Sequence, residues 1–552
     1  MIFRPLRAGL SSALAAITAG CALAGGCSAK DTLAPADAGA PEAGTSEARP
    51  DAVVADAPAV DWVIALEPAT PASILEPALL GQYDLSGALY RYDQVPKLPA
   101  LMKAAGLAEW RVGVGRWEIG TLTLPALTDG TPCDRAGRPL PSQAPAGTTD
   151  LDLIQARDWF TYTDGAAVTV EMTASDSRYH LDYVRSVLDV VTAFGATAYV
   201  GIDHMPRALA ANQTPVRTRA ELLNNCDISW ANKVSNVRPA DPAVLAAAVV
   251  GLVKRVVEGS GGAPGRPVRY WELWNEPELD YAWDKNVGDM TSYFQVAAAT
   301  LAALDAYRKQ TSHADGKAIR IGLGSFADGA TAATVLKMFD APFDFVSFHE
   351  ETDDDPLVVA SKVQDVADAR KASRHPDAEL HLTEWTRSLG RSTLDPTTID
   401  VALHHATVLA LGAAAGIRHA HHAIFWNFLG QGLPPLGIID HDGSPLPAYH
   451  AYVMLAQLIG SGSSRLSPIG HSDGRLDGGA GAVLASKDAA GKVRVLFINR
   501  GAVARTARVD LPSGAATPTK VRALVDPKQP PADVAPSTAI VLPARSIVLV
   551  EL

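Results

Sequence analysis

Residues 269–280 read RYWELWNEPELD, and they indicate both a strand and a site. The run begins with apolar and aromatic residues of strand character and ends in Asn275, Glu276 and Pro277. A purely structural strand has no need of an amide, a carboxyl group and a proline in succession at its end. The stretch therefore predicts a strand over 267–275 that carries polar side chains into a functional site.

The pairing of an apolar run with a helix recurs on both sides of this strand. Eight strands are predicted at 79–85, 108–115, 196–203, 267–275, 318–325, 343–349, 379–385 and 420–428. Helices are predicted at 96–106, 178–194, 331–339, 357–372, 397–415 and 447–460, with another that starts after Asp241 as its N-cap. Strands that alternate with helices favour a parallel sheet, and eight such units predict a (β/α)8 TIM barrel over 61–460.

The last part of the chain, 461–552, has a different pattern. Its apolar residues alternate in short runs that are interrupted by Gly, Asp and Pro, and they show no helical period. This pattern predicts a small antiparallel β-sandwich after the barrel. The early segment 61–68, DWVIALEP, could add a strand to it, because the two ends of a domain often meet.

Residues 1–27 predict an export signal. Arg4 and Arg7 form a short positive region, and the residues that follow are uncharged and mostly small or apolar. Cys21 and Cys27 each follow small residues in a way that resembles the lipobox of bacterial lipoproteins. The sequence therefore predicts an exported protein, which is either secreted or anchored in a membrane by a lipid on one of these cysteines.

Residues 28–60 consist largely of Ala, Pro, Asp and Glu and have almost nothing to bury, which is typical of a disordered linker. Two cysteines remain in the body of the chain, Cys133 and Cys226. In an exported protein they could form a disulfide or stay free thiols. The net charge of -12 over 552 residues, without a basic run, argues against a nucleic-acid partner.

The residue types at the predicted strand ends point to carbohydrate chemistry. Catalytic groups of a TIM barrel lie at these C-terminal ends. The ends carry carboxylates, aromatic rings, amides and a few cations: Arg111, Trp117, Asp203, His204, Asn275, Glu276, His349, Glu350, Glu351, Glu384, Trp385, Trp426 and Asn427. Glycoside hydrolysis requires one acid that protonates the leaving oxygen and a second that attacks the sugar or activates water. That chemistry needs no cofactor, so none is expected, and the expected partner is an oligo- or polysaccharide.

Two motifs carry a family resemblance. WELWNEPEL at 271–279 and LHLTEWTRS at 380–388 resemble the signatures of the clan A retaining glycoside hydrolases, and most of all those of glycoside hydrolase family 39. That family includes β-xylosidases and α-L-iduronidases. The resemblance covers roughly residues 75–552. It implies that Glu276 is the general acid/base and Glu384 the nucleophile.

The resemblance and the strand-end positions also suggest roles for other side chains. Asn275 is implied to bind the sugar 2-hydroxyl group. Substrate contacts are further expected from His204, His349, Arg111, Trp385 and Trp426, the two tryptophans acting as a sugar platform rather than as core. Arg111 could steady the charge of the nucleophile or form an ion pair inside the barrel, and Glu272 is expected to pair with Arg111 or Arg269. Proximity is expected to hold Glu276 protonated and Glu384 ionised.

Two other clusters have plainer interpretations. The acids Glu350, Glu351, Asp353, Asp354 and Asp355 are expected in a solvated loop, because they lack the spacing of a calcium loop. The histidines at 404, 405, 419, 421 and 422 match no standard metal site and are expected to be ordinary hydrogen-bonded residues.

Other functions are compatible with the same sequence. Another clan A glycosidase, such as an arabinofuranosidase or a glucuronidase, would share the barrel and both acids. A non-catalytic surface carbohydrate-binding protein would share the barrel alone. The presence of both Glu276 and Glu384 argues against the non-catalytic alternative.

Overall fold

The computed structural model describes residues 60–68, 74–83, 97–113, 118–119, 122–123, 161–162, 179–202, 205–206, 209, 211, 238–260, 262–279, 283, 290–351, 353–388, 392–427, 436–460 and 463–552. The predicted export signal, the linker up to residue 59, the two body cysteines and His204 lie outside these residues. In the described part of the chain, no helix is both long and apolar enough to cross a membrane.

A closed barrel of eight parallel strands forms the centre of the molecule. The first strand of the chain, β1 (Trp62–Pro68), belongs to the C-terminal sheet, and the barrel strands follow it in sequence. These are β2 (Gly81–Tyr83), β3 (Glu109–Gly113), β4 (Thr197–Ile202), β5 (Tyr270–Leu273), β6 (Arg320–Phe326), β7 (Phe345–Glu350), β8 (Glu379–Trp385) and β9 (Ile417–Ala423). Each pairs in parallel with its neighbours, and β9 closes onto β2. The predicted TIM barrel is confirmed.

Helices cover the outside of the barrel. They are α1 (Leu98–Ala104), α2 (Asp182–Ala193), α3 (Pro242–Val257), α4 (Thr291–Gln310), α5 (Ala314–Lys317), α6 (Gly329–Met338), α7 (Pro356–Ala372), α8 (Ile399–Ala415) and α9 (Pro447–Ile459). Three of them begin at an aspartate whose carboxylate accepts a hydrogen bond from a backbone N–H of the first turn: Asp241, Asp328 and Asp355. Helix α8 ends at Gly416, whose φ of 99° favours glycine.

Two elements differ from the sequence predictions. Helix α4 was not predicted, because its alanines lie on all sides and hide the buried face formed by Tyr293, Leu301 and Leu304. The last barrel strand was predicted at 420–428 but is Ile417–Ala423. Its start was missed because it carries inward-facing histidines where an apolar run was expected.

Aromatic rings fill the N-terminal half of the barrel. Tyr199, Tyr270 and Phe345 are buried against one another there. Space for the Phe345 ring comes from Gly322 on the neighbouring strand, since a Cβ at that position would lie 1.8 Å from the ring. This packed layer closes the lower part of the barrel, so that polar side chains with room around them lie at the C-terminal end.

A second, curled sheet follows the barrel. Its strands are β10 (Ser464–Pro468), β11 (Arg475–Leu476), β12 (Gly481–Lys487), β13 (Val493–Asn499), β14 (Arg505–Leu511), β15 (Gly514–Ala515), β16 (Lys520–Leu524), β17 (Ala532–Val534), β18 (Ile540–Leu542) and β19 (Ser546–Glu551). Together with β1 they form one sheet that encloses an apolar core. Most pairings are antiparallel, as predicted, but β1 lies parallel to β14 and antiparallel to β10.

The curled sheet packs on the last helices of the barrel. Arg465 donates to the carbonyl oxygens of Ala413 and Ala414 at the end of α8. Ser486 donates to the carbonyl oxygen of Leu458 in α9 at 2.6 Å. These bonds satisfy carbonyl groups that helix ends leave without intrahelical partners.

Short strand pairs lie outside both sheets in the described part of the chain. Each has two residues per strand: Glu118–Ile119 with Tyr179–His180, Leu122–Thr123 with Thr161–Tyr162, and Gly259–Ser260 with Ala263–Pro264.

Candidate active site

The segment after β5 turns sharply at the mouth of the barrel. Trp274 and Glu276 both have positive φ angles, 78° and 48°. Hydrogen bonds to the end of β6 hold this turn: the N–H of Ser325 donates to Trp274 at 2.9 Å, and the N–H of Glu276 donates to Ser325 at 2.6 Å. Left-handed backbone in non-glycine residues is strained and is typical of functional sites. The turn fixes where Asn275 and Glu276 point.

The carboxyl groups of Glu276 and Glu384 lie on the same side of the barrel mouth. Nδ1 of His349 lies 3.0 Å from Oε1 of Glu276 and 3.9 Å from Oε2 of Glu384. The two carboxyl oxygens are therefore at most about 7 Å apart, a bound that excludes most of the separations found in inverting glycosidases. The fourth and seventh strands of the barrel, β5 and β8, thus place two acids next to each other.

Arg111 on β3 connects the site residues from below. Its guanidinium donates to Glu272 at 2.8 Å, to Oδ1 of Asn275 at 2.8 Å and to the hydroxyl of Ser325 at 2.8 Å. A longer contact of 3.4 Å reaches Oε2 of Glu384. The ion pair considered for Arg111 is therefore present, and of the two arginines considered as the partner of Glu272, it is Arg111. With only 2% of its surface exposed, the side chain orients the acids rather than facing a substrate.

Glu351 is a third carboxyl group in the site, and the expectation of a solvated position is wrong for it. Its side chain is hydrogen-bonded to that of Glu384, and it interacts electrostatically with Glu276, His349 and Arg111. Burial raises its pKa. The signal for its position was available in the sequence, because side chains alternate along a strand, so Glu351 shares a face with His349.

The pKa of Glu384 is shifted upward, in the direction opposite to that expected for an ionised carboxylate. Burial raises the pKa of Glu384 well above its usual range, and the neighbouring carboxyls of Glu351 and Glu276 raise it further. Arg111 opposes this effect but does not reverse it. The surroundings of Glu384 therefore favour the protonated form of its carboxyl group. The expectation of an ionised Glu384 did not take this third carboxyl group into account.

Three residues expected to touch substrate are buried instead. Trp385 has 0% of its surface exposed and packs against His405 and His422, so it fills the core and the prediction of a sugar platform is wrong. Trp426 is 3% exposed, lies beyond the end of β9 and donates to the carbonyl oxygen of His441. His349 is also fully buried and contacts the two acids.

Glu278 shares the turn with Glu276 but serves a different purpose. Its Oε1 accepts a hydrogen bond of 2.5 Å from the N–H of Ala327, which ties the loop after β5 to the loop after β6. Burial raises the pKa of Glu278 to about 7. The role of Glu278 is therefore structural.

The remaining acids of this cluster are all hydrogen-bonded within the fold, and among them Asp355 is exposed as expected whereas Glu350, the last residue of β7, is not. Glu350 is fully buried, accepts from the N–H of Gly329 at 3.0 Å and pairs with Lys362 at 3.0 Å. Asp354 accepts from the N–H groups of Ser388 and Thr393, and Asp355 caps α7. These bonds fix the loop that starts at Glu351.

A second polar cluster lies inside the barrel, away from the mouth. One carboxylate oxygen of Glu109 contacts Nδ1 of His419 at 2.6 Å and Nε2 of His421 at 2.9 Å. These residues, and similarly Glu379 with His381 and His419, bring together atoms that could bind a metal ion. Distances of this length are hydrogen bonds, whereas two ligands of one zinc ion lie more than 3 Å apart, at about 3.3 Å. His419 and His421 are therefore hydrogen-bonded, as expected.

The expectation fails for His405. Both of its ring nitrogens are buried without a hydrogen-bond partner among the described residues. Its ring lies against Trp385 and His422, with ring centroids 5.2 Å and 4.4 Å away. Burial lowers its pKa well below the usual range, so the ring is neutral and packs as an aromatic residue.

Comparisons with known proteins establish what fold this is. No family model and no curated protein matches the sequence. Among solved structures, a glucosidase from Croceicoccus marinus is 15% identical with a TM-score of 0.55, over 89% of this chain and 99% of that one. A family 39 β-xylosidase from Caulobacter crescentus is 18% identical with a TM-score of 0.54, over 89% and 99%. A family 51 arabinofuranosidase from Xanthomonas axonopodis pv. citri is 15% identical with a TM-score of 0.52, over 89% and 100%.

At these identities the similarity concerns the fold. The chain has the TIM barrel and accompanying β-sheet domain that are found in glycosidases of several families, family 39 among them. The resemblance inferred from the two sequence motifs is therefore confirmed at the level of the fold.

Proposed function

We propose that this chain is a retaining glycoside hydrolase that cleaves O-glycosidic bonds of an oligo- or polysaccharide by double displacement. The observation that carries this proposal is the convergence of Glu276 and Glu384 on Nδ1 of His349 at the barrel mouth. Two acids at this separation and at this end of a TIM barrel match the requirements of retaining hydrolysis. The glycosidases that share the fold support the same class.

The two acids have different roles in the proposed reaction. In the first step the carboxylate of Glu384 attacks the anomeric carbon, while Glu276 gives its proton to the departing glycosidic oxygen. In the second step Glu276 takes a proton from water, whose oxygen displaces Glu384 and releases the sugar. Both steps invert the anomeric centre, so the product keeps the configuration of the substrate.

Asn275 is proposed to bind the sugar 2-hydroxyl group. Its Oδ1 accepts hydrogen bonds from Arg111 at 2.8 Å and Ser325 at 3.2 Å, so the amide orientation is fixed from below. The Nδ2 group is then the donor that can face a substrate oxygen. A bond that shortens as charge develops on the sugar contributes to rate rather than only to binding.

The test is turnover of a panel of aryl glycosides and polysaccharides by the wild type, Glu384→Gln and Glu276→Gln. Wild-type turnover that both variants lose supports the proposal, and the responsive sugar names the substrate. NMR of the first-formed product anomer checks retention. Equal turnover by the wild type and Glu384→Gln would show that Glu384 is not the nucleophile. Sugar binding without turnover of any substrate would favour a carbohydrate-binding protein.

We also infer that the protein is exported, secreted or anchored by a lipid at Cys21 or Cys27, on the basis of its first 27 residues. Fractionation of a bacterial expression host, with labelled palmitate, tests this. Label that is lost in only one of Cys21→Ala and Cys27→Ala identifies the anchored cysteine. Unlabelled protein in the medium indicates plain secretion, and protein retained in the cytoplasm contradicts export.

A further inference from the structure

We propose that Glu351 is a positioning residue that shares one proton with Glu384 and holds that proton while Glu384 attacks the sugar. This inference deepens the proposed glycosidase function and rests on it. Glu351 itself is not proposed to contact the anomeric carbon. Its role is to donate a hydrogen bond to the nucleophile and to keep the two carboxyl groups from being ionised together.

The strand register brings the two carboxyl groups together. In the pairing of β7 with β8, His349 lies opposite Glu384 and Glu350 lies opposite Trp385. Glu351 follows directly after the end of β7, so its side chain returns to the face of His349. Its carboxyl group is hydrogen-bonded to that of Glu384. Two carboxyl groups can form such a bond only if one of them carries a proton.

The charged groups around Glu351 and Glu384 favour a state in which the two carboxyl groups together carry one proton. The groups that face it are Arg111 from β3, Glu276 from the turn after β5, and His349 from β7. Arg111 already pairs with the fully buried Glu272 at 2.7 Å, and its guanidinium lies over the Tyr83 ring of β2 at 4.7 Å. One guanidinium therefore serves several carboxyl groups. Among the described residues, a second ionised carboxylate beside Glu384 would have to share Arg111 and His349 with the carboxyl groups that they already contact.

The proton moves within the pair during the reaction. In the resting site the proton lies on Glu384, and Glu351 accepts the hydrogen bond. Transfer of that proton to Glu351 leaves the Glu384 carboxylate free to form its bond to the anomeric carbon as the glycosidic bond breaks. When water releases the sugar, Glu384 becomes a carboxylate again and the proton returns. No proton is gained or lost by the pair over the cycle.

An infrared titration of carboxyl groups tests the shared proton without any substrate. The wild type is expected to keep a protonated carboxyl band to a pH well above the ordinary range of glutamate. Glu351→Gln and Glu384→Gln are each expected to lower the pH at which this band is lost, because the remaining carboxyl group is still buried but no longer has its charged neighbour. Glu278→Gln is the matched control, since Glu278 also has a raised pKa, about 7, but its hydrogen bond goes to Ala327. It should remove a different band and leave the shared one.

Kinetics test the positioning role. Glu351→Gln keeps a hydrogen-bond donor of similar size, whereas Glu351→Leu has a similar volume and no donor. The expected result is a kcat for Glu351→Leu about 10- to 100-fold below that of Glu351→Gln, the effect of losing a hydrogen bond to a charged group. A structural role alone would affect both variants through stability, which thermal unfolding measures separately.

The outcomes separate this inference from the proposed function. If no band responds to both Glu351→Gln and Glu384→Gln, the shared proton is refuted. Equal kcat values for Glu351→Gln and Glu351→Leu would refute the positioning role. If the shared band is present but the protein hydrolyses no glycoside, the shared proton is supported and the proposed glycosidase function is refuted.

Discussion

The mouth and the interior of the barrel both contain buried glutamates, and the pKa values of these groups are shifted in opposite directions. At the mouth, Glu351 and Glu384 have raised pKa values, because burial is reinforced by neighbouring carboxyl groups. In the interior, burial acts in the same direction on Glu109 and Glu379, but the cationic and hydrogen-bonding groups around each of them outweigh it and lower the pKa.

The number of partners per carboxyl group explains the difference. In the interior, Glu109 receives two imidazole contacts, and Glu379 receives hydrogen bonds from Arg320 and Arg418. At the mouth, Glu272 and Glu384 share the guanidinium of Arg111, and Glu276 and Glu384 share the imidazole of His349. A fully partnered carboxylate stabilises a fold, whereas one with too few cations keeps a proton that chemistry can use. The comparison predicts which substitutions affect activity and which affect stability.

The largest expected effect is on activity at the mouth. Glu384→Gln should lower kcat/KM for an aryl glycoside by about 10⁴-fold or more, because the nucleophile is lost. Its free energy of unfolding should stay equal to that of the wild type or rise, since a buried acid is replaced by a neutral group of the same size. Steady-state kinetics and urea denaturation measure the two. A folded Glu384→Gln variant with near wild-type kcat/KM would contradict the assignment.

The next effect is on stability in the interior. Glu109→Gln should lower the free energy of unfolding by about 3 kcal/mol, because His419 and His421 lose the carboxylate that they share. The folded pKa of Glu109 is lowered, so its contribution is present above the unfolded pKa and is lost as the pH falls. Urea denaturation at neutral and acidic pH measures this. If Glu109→Gln is as stable as the wild type but has lost activity, the assignment of a stabilising role to the interior glutamates would be contradicted.

The contribution of Glu278 to the free energy of unfolding should depend on pH in the opposite direction to that of Glu109. Its folded pKa of about 7 lies above the unfolded value of 4.5, so its contribution is complete below 4.5 and is lost as the pH rises through 7. Glu278→Gln should therefore gain stability relative to wild type between these values, by at most about 3 kcal/mol. Urea denaturation at pH values on both sides checks this. Parallel pH profiles for the two proteins would contradict it.

The smallest effect is expected at Glu379. Hydrogen bonding to His381, with the nearby arginines, outweighs burial and lowers the pKa of Glu379 to about 2, so its contribution is present above 4.5 and is lost as the pH falls through 2. Arg320 and Arg418 are 32% and 48% exposed, and solvent screens their charge. Glu379→Gln should cost about 1 kcal/mol, less in high salt. Thermal unfolding with and without salt measures this, and a cost equal to that of Glu109→Gln would contradict the screening argument.

The sequence predicted the barrel and the positions of the two main acids well. Alternation of strands and helices is a local pattern, and the motifs around Glu276 and Glu384 lie at strand ends, where the barrel fold brings residues together. Helix starts at Asp241 and Asp355 follow from side-chain caps that act within one turn.

The errors involve contacts between strands that are distant in sequence. The hydrogen bond of Glu351 to Glu384 and the burial of Trp385 under His405 depend on register and packing, which no local pattern encodes. Polar residues inside the barrel also caused an error. Histidines such as His419 and His421 are typical of exposed positions, so the start of β9 was not predicted although both residues are buried. Alternation of faces beyond the strand end would have placed Glu351 on the face of His349, but it does not show the contact with Glu384.

The pairing of β1 with β14 has a consequence for how the chain reaches its final state. Trp62, Ile64 and Leu66 are buried in the core of the curled sheet, yet their partner strands are Ser464–Pro468 and Arg505–Leu511. The first strand to leave the ribosome must therefore wait until some of the last segments have been made. Contacts of such sequence separation form slowly. The barrel can assemble while the sheet is incomplete, and completion of the sheet ties the two ends of the folded part together.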